Sequence, residues 1–151
     1  MAGRKRERTL GQARALLAAE ESSAGLDTLL PYLERYGGDA EAHALAGVAY
    51  GQMGDLPNAE VRFKESLAIW EGQFEVSMML LRVLIERRKW EDALPLAERL
   101  RKEHPSDKIV GVMLESVREN VERPDVGWER DENRPRVSVE FTGYASKFKG
   151  S

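Results

Sequence analysis

Two adjacent segments of this chain, Ala40 to Gln73 and Phe74 to Asp107, carry the same order of small, large and turn residues at an offset of 34. A period of this length restricts a chain to a stack of small units. One unit cannot bury its apolar face alone and must lean on its neighbours. Ala46, Tyr50, Ala59, Phe63 and Ser66 fall opposite Leu80, Leu84, Ala93, Ala97 and Leu100, and Leu56 falls opposite Trp90. Identities are few (Glu41/Glu75 and Ala59/Ala93), so the repeat lives in residue class. A stack presents a surface and does not enclose a reaction, so the function class it points to is the binding of another polypeptide.

Each unit reads as two helices. Ala42, Leu45, Ala46, Ala49 and Tyr50 recur at helical spacing and stop at Met53-Gly54-Asp55. Asp55 is placed to cap the next helix, with Pro57 in the first turn, where its missing N–H is harmless. Ala59, Phe63, Ser66, Leu67 and Trp70 are its expected buried stripe. Gly47 and Ala59 are small enough to let the two helices approach closely. Further back, Thr9 to Glu20 and Ala24 to Tyr36 form a divergent first pair, split by Glu21-Ser22-Ser23 and ended by Gly37-Gly38. Pro31 predicts a late helix start near Asp27 or a kink, and Pro95 raises the same question after Trp90. Ser106-Asp107 is placed to cap a last helix from Lys108 to about Glu122, with Val110, Val112, Met113, Leu114 and Val117 apolar.

On these residues the chain resembles the tetratricopeptide repeat. Ala46-Gly47, Tyr50, Gly54-Asp55, Ala59 and Phe63 match that family's pattern, while Glu71 stands where its closing Pro belongs. The second unit keeps Leu80, Ala93 and His104-Pro105 but has Leu81 for the Gly, Leu84 for the Tyr and Arg88-Lys89 for the Gly-Asp turn. The resemblance implies an all-α fold, a right-handed superhelical stack of antiparallel helix pairs (an α-solenoid) with a C-terminal capping helix and an extended tail. The expected organisation is a basic segment at residues 1–8 and a helical domain at 9–122. Within the domain, repeats lie at about 6–39, 40–73 and 74–107, and the capping helix at 108–122. An extended or disordered tail occupies 123–151.

The resemblance also implies a concave groove lined by the first helix of each pair. Carried over residue by residue, it offers Glu41, Ala44, Val48, Gly51 and Gln52, then Glu75, Met78, Arg82, Ile85 and Glu86, then Ile109, Val112 and Ser116. Such a floor is small and apolar, with Arg82 as a central cation. It suits an apolar or amphipathic peptide, with an acidic group meeting Arg82. The alternative for Val48, Met78 and Ile85 is ordinary helix packing. Family members that grip a C-terminal carboxylate use Lys and Asn where this chain has Ala44 and Val48, which disfavours that mode.

Charge is unevenly placed around a net of −3. Residues 1–8 carry four basic and one acidic residue, 9–118 carry 13 against 18, 119–133 two against six, and 134–151 four against one. The basic ends are expected to contact an acidic partner or the acidic scaffold itself. No basic helix face with interleaved aromatics favours nucleic acid. In the tail, Val137, Val139 and Phe141 alternate with Ser138, Glu140 and Thr142, the period of a strand. Three readings stand: a mobile tail, an extended segment docking onto a partner through Trp128, Val137, Val139, Phe141, Tyr144 and Phe148, or a segment folding back into the chain's own groove.

The chain has no cysteine, so disulfides and thiolate metal sites are out. His43 and His104 lie in different repeats with no second ligand at metal spacing, no nucleophile has a plausible base, and no Gly-rich loop follows a strand. The expectation is a non-enzymatic protein with no cofactor or metal. No segment approaches the roughly 20 apolar residues of a membrane span, and the basic start is followed by an amphipathic helix, giving a cytoplasmic expectation. The favoured role is an adaptor or assembly subunit. The alternative is a small dedicated chaperone, like those that shield translocator subunits of type III secretion. Self-association stays open.

Overall fold

A computed structural model describes residues 2–122. The expected strand and the docking residues Trp128, Val137, Val139, Phe141, Tyr144 and Phe148 lie outside them. The described residues form seven helices: α1 (Ala2–Ala18), α2 (Ser22–Arg35), α3 (Ala40–Gln52), α4 (Leu56–Ile69), α5 (Phe74–Glu86), α6 (Trp90–Glu103) and α7 (Lys108–Glu122). They belong to an all-α, tetratricopeptide-like α-solenoid class. Two compact units divide within α5, one ending at Leu80 and the other starting at Leu81.

The 34-residue period is written most clearly in the backbone. Glu20, Gly54 and Arg88, each 34 apart, all take positive φ (59°, 78° and 58°). At each, the turn closes with the same pair of hydrogen bonds. The amides of Glu20 and Glu21 donate to the carbonyls of Leu17 and Leu16 at 3.0 and 2.8 Å. Those of Gly54 and Asp55 donate to Gly51 and Tyr50 at 3.0 and 2.8 Å, and those of Arg88 and Lys89 to Ile85 and Leu84, both at 2.9 Å. These left-handed caps satisfy helix-end carbonyls that would otherwise be orphaned. Only the middle turn has the glycine that makes this conformation strain-free. The second helices end alike, with the amides of Tyr36, Trp70 and His104 donating to the carbonyls of Tyr32, Ser66 and Leu100 at 2.8, 3.0 and 2.8 Å.

Three aspartates start helices. Asp39 accepts from the Ala42 amide at 3.2 Å, Asp55 from Asn58 at 3.3 Å, and Asp107 from Ile109 and Val110 at 2.9 and 3.0 Å. Each such cap contributes about 1 kcal/mol to its helix.

In the first unit, α1 packs on α2, α2 on α3, and α3 on α4. The core is built from Leu10, Leu17, Leu29, Leu45, Val48 and Phe63, all fully buried. Phe63 presses its ring against Gly47, as the small residues there predict: a Cβ at position 47 would sit 2.5 Å from Phe63 Cε1. In the second unit α6 packs on α7 through Ala93, Ala97 and Leu100 on one side and Val110, Met113, Leu114 and Val117 on the other. Where one repeat has Gly47 and Phe63, the next has Leu81 and Ala97, both fully buried.

Three expectations are corrected. The helix read from Thr9 starts at Ala2 and takes the basic segment with it. Basic residues in a first turn oppose the helix dipole, and this one is offset by contacts of Arg6 described below. Pro31 neither delays α2 to Asp27 nor ends it. The helix runs from Ser22 through Pro31 to Arg35, anchored on both sides of the proline by buried Leu26, Leu29, Tyr32 and Leu33. Pro95 likewise lies inside α6. Trp70 is not in the buried stripe. The helix ends at Ile69, the backbone at Trp70 is extended (φ −141°, ψ 100°), and the side chain is 62% exposed.

Candidate interaction surfaces

The residues expected to line a groove have very different surroundings. In the first unit Ala44 and Val48 on α3 are fully buried, and Met78 on α5 is 6% exposed. Gly51 and Gln52 are half-buried. Gln52 is tied inward, its amide donating to the Leu17 carbonyl at 2.9 Å and its oxygen accepting from the Ser22 hydroxyl at 2.6 Å. That pair stitches the α1–α2 turn to the end of α3.

In the second unit Ile85 is buried and Arg82 half-buried. Arg82 Nε is shielded from solvent and has no hydrogen-bond partner, an uncommon state for a buried donor on a charged group. Val112 on α7 is 66% exposed and Ile109 54%. Val112 lines an open cleft between α6 and α7 whose walls include Arg101, Pro105, Lys108, Ser116 and Glu119. The Arg101 guanidinium lies over Gly111, with Nη1 3.2 Å from where a Cβ would stand.

A polar cluster at the start of α3 was not visible in the sequence. Asp39 caps α3 through Oδ1, and its Oδ2 accepts from Arg6 Nε at 2.8 Å and from the Tyr32 hydroxyl at 2.7 Å. Arg6 also reaches Glu41 at 3.0 Å, and Arg14 holds the other side of Glu41 at 2.7 Å. Burial pushes the Asp39 carboxyl upward, but hydrogen bonds from Tyr32, Arg6 and the Ala42 amide, with the guanidinium charge, outweigh it and hold it below its ordinary value. Burial, the hydrogen bond to Asp39 and the nearby negative charge push Tyr32 up to about 12. The basic N-terminal segment thus contacts the acidic scaffold, one of the two uses expected of it. Beside the cluster a shallow cleft runs past Tyr36 and Gln73 to the exposed Trp70.

His43 is buried and locked. Its Nε2 lies 2.8 Å from the Gly37 carbonyl, and Nδ1 lies 3.3 Å from both the Arg62 guanidinium and a Glu65 oxygen. With Nε2–H donating to the carbonyl, Nδ1 accepts from Arg62. Among the described residues no group of three or more His, Asp and Glu side chains is placed to hold a metal ion, and no helix is long and apolar enough to cross a membrane.

No family model and no curated protein matches the chain. Among solved structures, a MamA RS-1 ArsTM double mutant superposes with a TM-score of 0.72 at 21% identity, covering 79% of this chain and 67% of that one. This likeness extends over most of the helical region and shows the fold, a tetratricopeptide-like helical repeat.

Proposed function

We propose that this protein is an interaction module acting as an adaptor or assembly subunit, which binds an apolar or amphipathic polypeptide segment. The observation that carries the proposal is the exposure of two large apolar side chains, Ile109 and Val112, one turn apart on α7. Helical repeat stacks need a polar outer surface on the terminal helix to remain soluble. Here that helix exposes Ile109 and Val112, the latter lining an open cleft. Burying what both still expose would contribute roughly 2–4 kcal/mol of transfer free energy. The half-buried Arg82 is the group we assign to an acidic side chain of the partner. On α3 the half-buried Gly51 and Gln52 offer a second contact, and the tail beyond Glu122 supplies a further one.

Affinity capture with the full-length chain followed by mass spectrometry tests this reading. The expected result is a stoichiometric folded partner, lost in Val112→Asp. Rescue of one aggregation-prone client with no folded partner would move the assignment to a dedicated chaperone.

A further inference from the structure

The solvent-facing ridge of α7 is ordered by charge. At about 100° per residue, Lys108, Val112, Glu115 and Glu119 fall within about 60° of one another around the helix. Lys108, Glu115 and Glu119 are exposed along with Val112. Ile109 and Ser116 lie on the other flank of Val112, and the opposite side of the helix buries Val110, Met113, Leu114, Val117 and Asn120. The ridge is therefore basic at its start, apolar at Ile109 and Val112, and acidic toward its end. Arg101 strengthens the basic end. Its Nη1 donates to the Asp107 carbonyl at 3.5 Å and lies over Gly111, on the same flank as Lys108.

Such a ridge complements itself when turned end for end. A two-fold axis beside Val112 sets two copies of α7 antiparallel. At about 1.5 Å per residue, Lys108 lies about 6 Å before Val112, and Glu115 and Glu119 lie about 4.5 and 10.5 Å after it. The axis brings Lys108 of one copy level with the gap between Glu115 and Glu119 of the other, on the same flank. On the other flank the two Ile109 side chains bracket the pair of Val112 side chains, and the small Ser116 leaves space beside each. Every contact occurs twice, as an isologous interface requires. A parallel pairing would set lysine against lysine and carboxylate against carboxylate. Within its own helix Glu115 reaches only Arg118 at 3.8 Å, with both side chains well exposed, a pair that contributes little and leaves the carboxylate available.

We propose that two copies of this chain dimerise through antiparallel α7 helices. Lys108 of each copy meets Glu115 and Glu119 of the other around an apolar centre of Ile109 and Val112. One helix face is a small interface, so the dimer is reversible, with a Kd on the order of 10 μM. The dimer rests on the reading of α7 as a binding face and makes a second copy its occupant. Another polypeptide must displace that copy to cover Ile109 and Val112.

Sedimentation equilibrium of the full-length chain tests this with two charge reversals, Lys108→Glu and the pair Glu115→Lys with Glu119→Lys. Wild type should pass from monomer to dimer with rising concentration. Each reversal should weaken dimerisation at least tenfold, with helical circular dichroism unchanged. An equimolar mixture of the two variants should dimerise to within about threefold of wild type, because both charged contacts are then opposite in sign again. A wild type still monomeric at about 1 mM, variants that dimerise as wild type does, a mixture that stays monomeric, or assembly beyond the dimer would each overturn it. Capture of a folded partner by a chain that never dimerises would overturn the dimer and leave the proposed function standing. A dimer that behaves as expected, with no partner captured, would count against the proposed function alone.

Discussion

Gly47 on α3 and Phe63 on α4 share a contact with no room for one more carbon: a Cβ at position 47 would lie 2.5 Å from Cε1 and 2.7 Å from Cδ1 of the ring. The ring is fully buried and cannot swing into solvent. Gly47→Ala should therefore destabilise the fold by about 2 kcal/mol despite alanine's better helix propensity. Adding Phe63→Leu should recover at least half of that loss, because the smaller side chain vacates the space. Urea denaturation of the two single variants and the double variant measures the coupling. Strictly additive losses would show that the close approach is not what requires glycine.

Asp39 gathers a cap, a guanidinium and a phenol on one carboxylate. Removing it in Asp39→Ala should cost about 2 kcal/mol at neutral pH, from the lost cap and the buried hydroxyl left without its acceptor. The pH dependence has a definite sign. A carboxyl held below its ordinary value of 3.8 contributes stability that is fully present above that value and is lost as pH falls through the lower one. The stability difference between wild type and Asp39→Asn should shrink as pH drops below about 4. A gap that stays constant down to pH 2 would contradict the coupling.

Tyr32 gives the opposite limb. Its phenol, pushed up from 10.0 to about 12, contributes stability that is intact below pH 10 and is lost as pH rises through about 12. Phenolate absorbance should show one tyrosine of the four in the chain titrating only near pH 12, and Tyr32→Phe should abolish that component alone. Four tyrosines titrating together near 10 would rule the cluster out in solution.

Arg88 holds a left-handed backbone at a position where the neighbouring repeat has Gly54. A side chain with a Cβ costs about 1 kcal/mol in that conformation. Arg88→Gly should raise the urea midpoint, by about 0.5–1 kcal/mol of stability. A lower midpoint would mean that the arginine's contacts outweigh its backbone strain.

These positions show what was legible in the sequence. Helix order and the Asp55 and Asp107 caps follow from local chemistry, and the structure repeats them. The second repeat departs from the family letters at Leu81 and Arg88, yet Leu81 is fully buried and Arg88 keeps the left-handed turn. Trp70 was misplaced because helical spacing continues one residue past the point where the backbone leaves the helix. Pro31 does not delay α2 to Asp27, because buried Leu26 and Leu29 before it and Tyr32 and Leu33 after it hold the helix together. The Asp39 cluster joins residues 33 apart, which no local pattern can anticipate. The exposure of Val112 and the closure of Ala44 are likewise properties of packing, since both positions carry small or medium apolar residues.

The proposed role depends on a polypeptide binding over Ile109 and Val112 on α7. Titration calorimetry of the full-length chain with the partner segment recovered by capture tests it most directly. One-to-one binding with a negative heat-capacity change, the mark of apolar burial, is expected. Affinity should fall at least tenfold in Val112→Asp, which substitutes an already exposed side chain and leaves the thermal midpoint unchanged. Equal affinity for wild type and Val112→Asp, or binding without a heat-capacity change, would contradict it.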